Sequence, residues 1–211
     1  MFYATLFVAV GFIILVYTHP KVITQYIQRK TGVIFSTNKD ELTVTIDDSP
    51  SPQTRVILDV LDKHQKKAIF FVIGENAQKY PEQMKEIIRR GHMVANHDIT
   101  NRASLFAKDL MSDIVKTEQI IRKYAPEGQY QKWFRPGCGY FSNNMVKMLD
   151  IMGYKTVLGD TYTMDGHLTT EWLMKMILKY KTGPGSIIIM HDGVKRAGRT
   201  ARVLDDFLSD K

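Results

Sequence analysis

The chain has a single cysteine, Cys138, among its 211 residues, so an internal disulfide is excluded, and with it any fold held by a disulfide framework. A zinc site built on several thiolates is excluded for the same reason. There is also no internal repeat, no low-complexity tract, no long linker and no extended run of like charge. Lys and Arg number 29 against 22 Asp and Glu, a net charge of +7. Such a balance suggests nucleic acid or a membrane surface where the basic residues cluster. Here Lys63, Lys66, Lys67, Arg89, Arg90, Lys175, Lys179 and Lys181 are scattered along helical stretches, the spacing of solvated faces, and no nucleic-acid partner is expected. What remains is 44% hydrophobic and 24% charged, the composition of one globular domain with its own core.

The amino end differs from the rest. Phe2 to Tyr17 carries no charge over sixteen residues. As a helix it would be about 24 Å long, slightly short of a hydrocarbon core of about 30 Å. No Lys or Arg precedes it and no small-x-small pair follows, so a cleaved signal peptide fits poorly. Residues 1–20 are read as a single-pass signal anchor, with residues 21–41 as a lead-in and 42–211 as the domain; a buried amino-terminal helix is the alternative. Lys21, Arg29 and Lys30 after the span would by charge bias keep that side cytosolic, whereas the secretory pathway or the cell surface is the expected location, so the side of the membrane is left open.

From Leu42 onward strand-like and helix-like runs alternate. Candidate strands are Leu42–Asp47, Ala68–Ile73, Met93–His97, Trp133–Arg135, Thr156–Leu158 and Ser186–Met190. Between them, apolar residues recur at helical spacing: Val56, Val60 and Leu61; Met84, Ile87 and Ile88; Leu110, Ile114 and Ile121; Met145, Met148, Leu149 and Met152; Trp172, Met176 and Ile177. Gly91, Gly153 and Gly183 end helices, and Ser51-Pro52 and Ser104 open them. This order predicts βαβ units and a mainly parallel sheet.

Polar residues that look out of place fall at the carboxyl ends of these strands: Asp47-Asp48, His97, Arg135, Asp160 and Asp165, and His191. Parallel barrels gather their chemistry at that rim. Adjacent carboxylates repel unless a cation or proton relieves them, which points to a bound divalent metal at Asp47-Asp48; a helix N-terminus is the other reading. His97 adds a nitrogen donor that suits zinc, or is a core histidine.

TIDDSP at 45–50, His97 with residue 101 four positions on, FRPGCGYF at 134–141 and I-x-x-H at 188–191 together resemble the polysaccharide deacetylase family, the NodB-homology domain. The resemblance runs from Thr43 to the end and implies a distorted (β/α) barrel. It implies a hydrolase that removes N-acetyl groups from N-acetylglucosamine-containing glycans of the chitin or chitooligosaccharide class, with a divalent metal, zinc by preference. The glycan and the membrane are the expected partners, and no protein partner is implied. Asp47 would be the general base, oriented by Arg135. Asp48, His97 and Asn101 would hold the metal. His191 would be the general acid, supported by Asp165. The backbone N–H of Cys138 would face the oxyanion, its thiol being a small buried side chain. Tyr140 would face either the sugar or the core. Asp160 is the runner-up to Asp165, and His167 is read as a surface residue.

Three departures stand out. Asn101 replaces the family's second histidine, so Asp98 or water would complete the metal shell. Gly166 stands where a tryptophan is usual. The chain stops after GRTARVLDDFLSDK, and the family's closing strand has no counterpart. A catalytically silent glycan-binding protein is the competing reading. Phosphoester hydrolysis would call for D-x-D, whereas the chain reads Asp47-Asp48-Ser49.

Overall fold

The computed structural model describes residues 20–37, 40–167 and 170–210. In chain order it contains α1 (Lys21–Thr31), β1 (Thr43–Ser49), α2 (Thr54–Lys63), β2 (Ala68–Val72), α3 (Gly74–Lys79), α4 (Pro81–Arg89), β3 (Met93–Asn96) and α5 (Leu110–Arg122). These are followed by β4 (Tyr130–Phe134), α6 (Asn143–Ile151), β5 (Lys155–Thr156), β6 (Thr161–Tyr162), α7 (Glu171–Lys181), β7 (Ile187–His191) and α8 (Ala197–Ser209). The seven strands form one parallel sheet in the order β5-β4-β3-β2-β1-β7-β6, curled into a half-barrel.

Every residue of β2 is buried, because helices cover one side of the sheet and the curl closes over the other. Alternation along the strands sorts its side chains. Phe70 and Val72 join Val44, Ile46, Ile188 and the helices in the main core. Ile69 and Phe71 point the other way and pack with Ala95, Val157 and Ile187 inside the curl. Asp47 shares that inner parity with Thr45, so the strand period itself carries a carboxylate into the barrel mouth.

The sequence misplaces two helix faces. On α2 the buried stripe is Thr54, Ile57, Leu58 and Leu61, and Val56 is exposed. On α7 it is Met174 and Leu178, and Trp172 and Met176 are exposed. The apolar arc of α2 is broad and that of α7 takes in most of the circumference, so the neighbours rather than the periodicity select the stripe. Met148 on α6 is likewise exposed. Ser104 opens a single 3-10 turn (Ser104–Phe106) rather than a helix, and β6 is too short to leave a pattern.

The lead-in is built into the sheet. Ile34 pairs with Val157 beyond β5, and Ser36 with Ser186 ahead of β7. Gln28 on α1 fixes the turn between helix and bridge: its Oε1 accepts from the N–H groups of Phe35 (2.7 Å) and Ser36 (3.2 Å). Among the described residues no helix is long and apolar enough to cross a membrane. The apolar run Phe2–Tyr17 lies outside them.

Candidate active site

Neighbouring strand residues normally point to opposite faces. Asp47 and Asp48 escape this because the register of β1 against β2 shifts between Ile46 and Ser49, and Asp48 takes a left-handed backbone (φ 61°). Asn76 Nδ2 donates to the Asp48 carbonyl (2.9 Å) and holds that turn. As a result both carboxylates face His97: its Nε2 lies 3.5 Å from Asp48 Oδ1 and 4.0 Å from Asp47 Oδ2. Nδ1 of His97 is 2.8 Å from the Arg135 carbonyl, which fixes the ring and leaves Nε2 for the carboxylates.

Arg135 follows β4 and is buried. Its guanidinium donates to Asp47 Oδ1 (2.5 Å), Thr45 Oγ1 (2.7 Å) and the carbonyls of Val157 and Leu158, and it stacks 3.9 Å from the Phe71 ring centroid. Across the ladder Asp47 is register partner to His191. His191 Nδ1 contacts Asp165 Oδ1 at 2.8 Å, and the His191 N–H donates to Oδ2 at 2.6 Å. Thr163 and Thr200 also donate to this carboxylate (3.0 Å each), so Asp165 is fully engaged, and among the described residues Nε2 is the nitrogen of His191 left free. Burial disfavours the charged imidazole of His191, but Asp165, Asp47 and Asp48 outweigh it and raise its pKa above the ordinary value. Burial opposes ionisation of Asp165 too, and His191 overcomes it, so that carboxyl titrates low. His97 is raised against its burial by Asp47 and Asp48.

Six predicted residues therefore converge: Asp47, Asp48, His97, Arg135, Asp165 and His191. The others fare differently. Asn101 is exposed and, among the described residues, makes no hydrogen bond to Asp47, Asp48 or His97. Asp98 cannot complete a shell, since it is buried and committed to Ile99 N–H, Arg102 and Ser104. Asp160 binds Ser186 Oγ (3.0 Å) and Ile187 N–H (3.1 Å) and is structural, while His167 is exposed, as read. Tyr140 is exposed, which favours the sugar over the core.

The Cys138 thiol is exposed, not buried, because the residue sits at φ 60° in the turn Gly137–Gly139. That loop is held by Gly137 N–H on Ser104 Oγ (3.0 Å) and Gly139 N–H on Pro136 O (3.0 Å). A Cβ on Gly137 would lie 1.8 Å from the Arg102 carbonyl oxygen. Gly137→Ala is accordingly expected to destabilise the protein by about 1–3 kcal/mol or more, read as a lowered Tm.

One site residue was not foreseen. Arg196, in the loop after β7, donates from Nη2 to Asp48 Oδ2 at 2.7 Å. Burial alone would raise the Asp48 pKa, but His97, His191 and Arg196 together hold that carboxyl far below the usual range. Each carboxylate of the pair thus has its own guanidinium, Asp47 with Arg135 and Asp48 with Arg196. The repulsion that a metal was expected to relieve is already relieved by protein.

Donor geometry still suits a small cation in part. Two donors on one zinc lie roughly 3.3 Å apart for tetrahedral bonds of about 2.0 Å, close to the Asp48–His97 separation of 3.5 Å. These two fit one ion. Among the described residues, however, no group of three His, Cys, Asp or Glu could hold one.

Comparison with known proteins finds a family and a fold. The family model for polysaccharide deacetylase matches residues 36–157. A Bacillus cereus peptidoglycan-N-acetylglucosamine deacetylase is 34% identical over 158 residues, 73% of this chain and 56% of that protein, so the chain spans little more than half of that relative. The solved Bc1960 peptidoglycan N-acetylglucosamine deacetylase superposes with a TM-score of 0.79 at 30% identity, covering 87% of this chain and 88% of that one. BA3943 of Bacillus anthracis, a CE4 family pseudoenzyme, superposes at 0.73 with 25% identity, covering 82% and 60%.

Proposed function

Because the chain belongs to the polysaccharide deacetylase family, we propose that it hydrolyses the N-acetyl group of an N-acetylglucosamine-containing glycan. The observation that carries this reading is the placing of Asp47 and His191 as register partners on adjacent strands, each with its own buried partner, Arg135 and Asp165. Asp47, oriented by its ion pair with Arg135, takes a proton from the attacking water. The Cys138 N–H, in the loop after Arg135, would be the oxyanion donor, as the family resemblance implies. His191, protonated and backed by Asp165, gives its Nε2 proton to the departing amine. Asp48 and His97 would hold a divalent metal, zinc by their donor types, which would polarise the amide carbonyl. The glycan class is supported by the relatives, among them two peptidoglycan-N-acetylglucosamine deacetylases of Bacillus cereus.

Acetate release from chitooligosaccharides and from peptidoglycan fragments by the full chain tests the reading. Release from either substrate, abolished by a chelator and restored by zinc, is the expected result. A folded protein that binds these glycans and releases nothing would overturn it. That outcome would favour a catalytically silent member of the fold, a reading supported by the exposed Asn101 and by Arg196 on Asp48, and one with a precedent in the BA3943 pseudoenzyme.

A further inference from the structure

Besides His97, Asp48 has a second partner, Arg196, that lies outside every motif read from the sequence. Arg196 reaches it from the loop between β7 and α8, passing beside two glycines. A Cβ on Gly193 would stand 3.5 Å from both Nε and Nη2 of the guanidinium, and one on Gly166 would stand 3.6 Å from Nη1. Both are ordinary contact distances, so the two glycines lie against the guanidinium.

The two guanidiniums of the site differ in how firmly they are held. Arg135 is 3% exposed in its side chain and donates to four acceptors, so it cannot leave Asp47. Arg196 is 27% exposed, donates to Asp48 alone within the site, and ends a long side chain that can swing into water. Asp48 meanwhile offers Oδ1 to His97 and Oδ2 to Arg196. A dication on Oδ1 and a guanidinium on Oδ2 would be like charges sharing one carboxylate, and they repel strongly in a largely buried site.

We propose that Arg196 is a resident counter-cation of Asp48, which keeps the Asp48–His97 site charge-neutral without metal, so that a divalent ion binds only by displacing the guanidinium. This rests on Asp48 and His97 being the metal donors of the reading above, and not on turnover.

The test is calorimetric titration of zinc alone into the full chain. Arg196→Met removes the charge and keeps the aliphatic stem against the glycines; it is expected to bind zinc about tenfold or more tightly than the native chain. Unchanged or weaker affinity overturns the proposal, the weaker case making Arg196 a residue that orients Asp48. Should Arg196→Met fail to fold, Arg196→Gln keeps a donor to Asp48 without charge and carries the same expectation. Adding Asp48→Asn must abolish the gain; a gain that survives it comes from elsewhere and overturns the assignment. In the native chain the Arg196 Nε–H resonance should shift as zinc is added, and a resonance unmoved at saturation counts equally against displacement. Absence of acetate release beside this zinc result would sink only the deacetylase reading.

Discussion

Asp47→Asn is expected to lower kcat for acetate release by about 10²–10⁴-fold and to leave the protein folded. Asparagine can still accept from Arg135 but cannot take a proton from water. Asp47→Ala is expected to do more, because it strips the counter-charge from a guanidinium that is 3% exposed in its side chain. Breaking a buried pair by removing one partner costs about 3–5 kcal/mol, so this variant should melt well below the native chain as well as lose activity. Acetate assays paired with thermal melts separate the two effects. If Asp47→Asn keeps activity within about twofold, the base lies elsewhere.

The second large effect concerns Asp165. With the partner intact, the His191 pKa is raised above its ordinary value, so the protonated acid persists to higher pH and the falling limb of the rate profile is displaced upward. Asp165→Asn removes the leading cause of that rise and leaves burial, which acts the other way, opposed by Asp47 and Asp48 alone. The limb should then move to lower pH, and kcat at neutral pH should fall by about 10²-fold or more. The stability linkage has a definite sign on each side. His191, raised on folding, contributes stability that is present below its unfolded value and is lost as pH rises through the folded one. Asp165, lowered on folding, contributes stability that is lost as pH falls through its own folded value. A pH profile of the variant that overlays the native one would rule out Asp165 as the support of His191.

Much of this site was legible because a parallel sheet brings strand ends together whatever their separation in sequence. Asp47, His97, Arg135 and His191 each end or closely follow a strand, and that position is readable residue by residue. Their mutual contacts follow from the strand order β4-β3-β2-β1-β7. What was not legible depends on loops. Arg196 reaches Asp48 from 148 positions away in the chain, at the end of a flexible side chain, and no spacing rule encodes that contact. The exposed Cys138 thiol depends on a positive φ that a cysteine gives no reason to expect. Trp172 and Met176 were misjudged for a third reason: α7 is apolar around most of its circumference, and only its contacts decide which stripe is covered.

The two bridges made by residues 34 and 36 bear on how the protein can be cut. Ile34 N–H donates to Thr156 O (2.9 Å), Leu158 N–H to Ile34 O (2.8 Å), and Thr37 N–H to Gly185 O (2.8 Å). A fragment begun at Thr43 would strip those partners and leave ladder groups at two places bare, an open invitation for a strand from another molecule to add on. Recombinant versions should therefore start no later than Pro20, and shorter ones should be screened for self-association before any loss of function is blamed on chemistry.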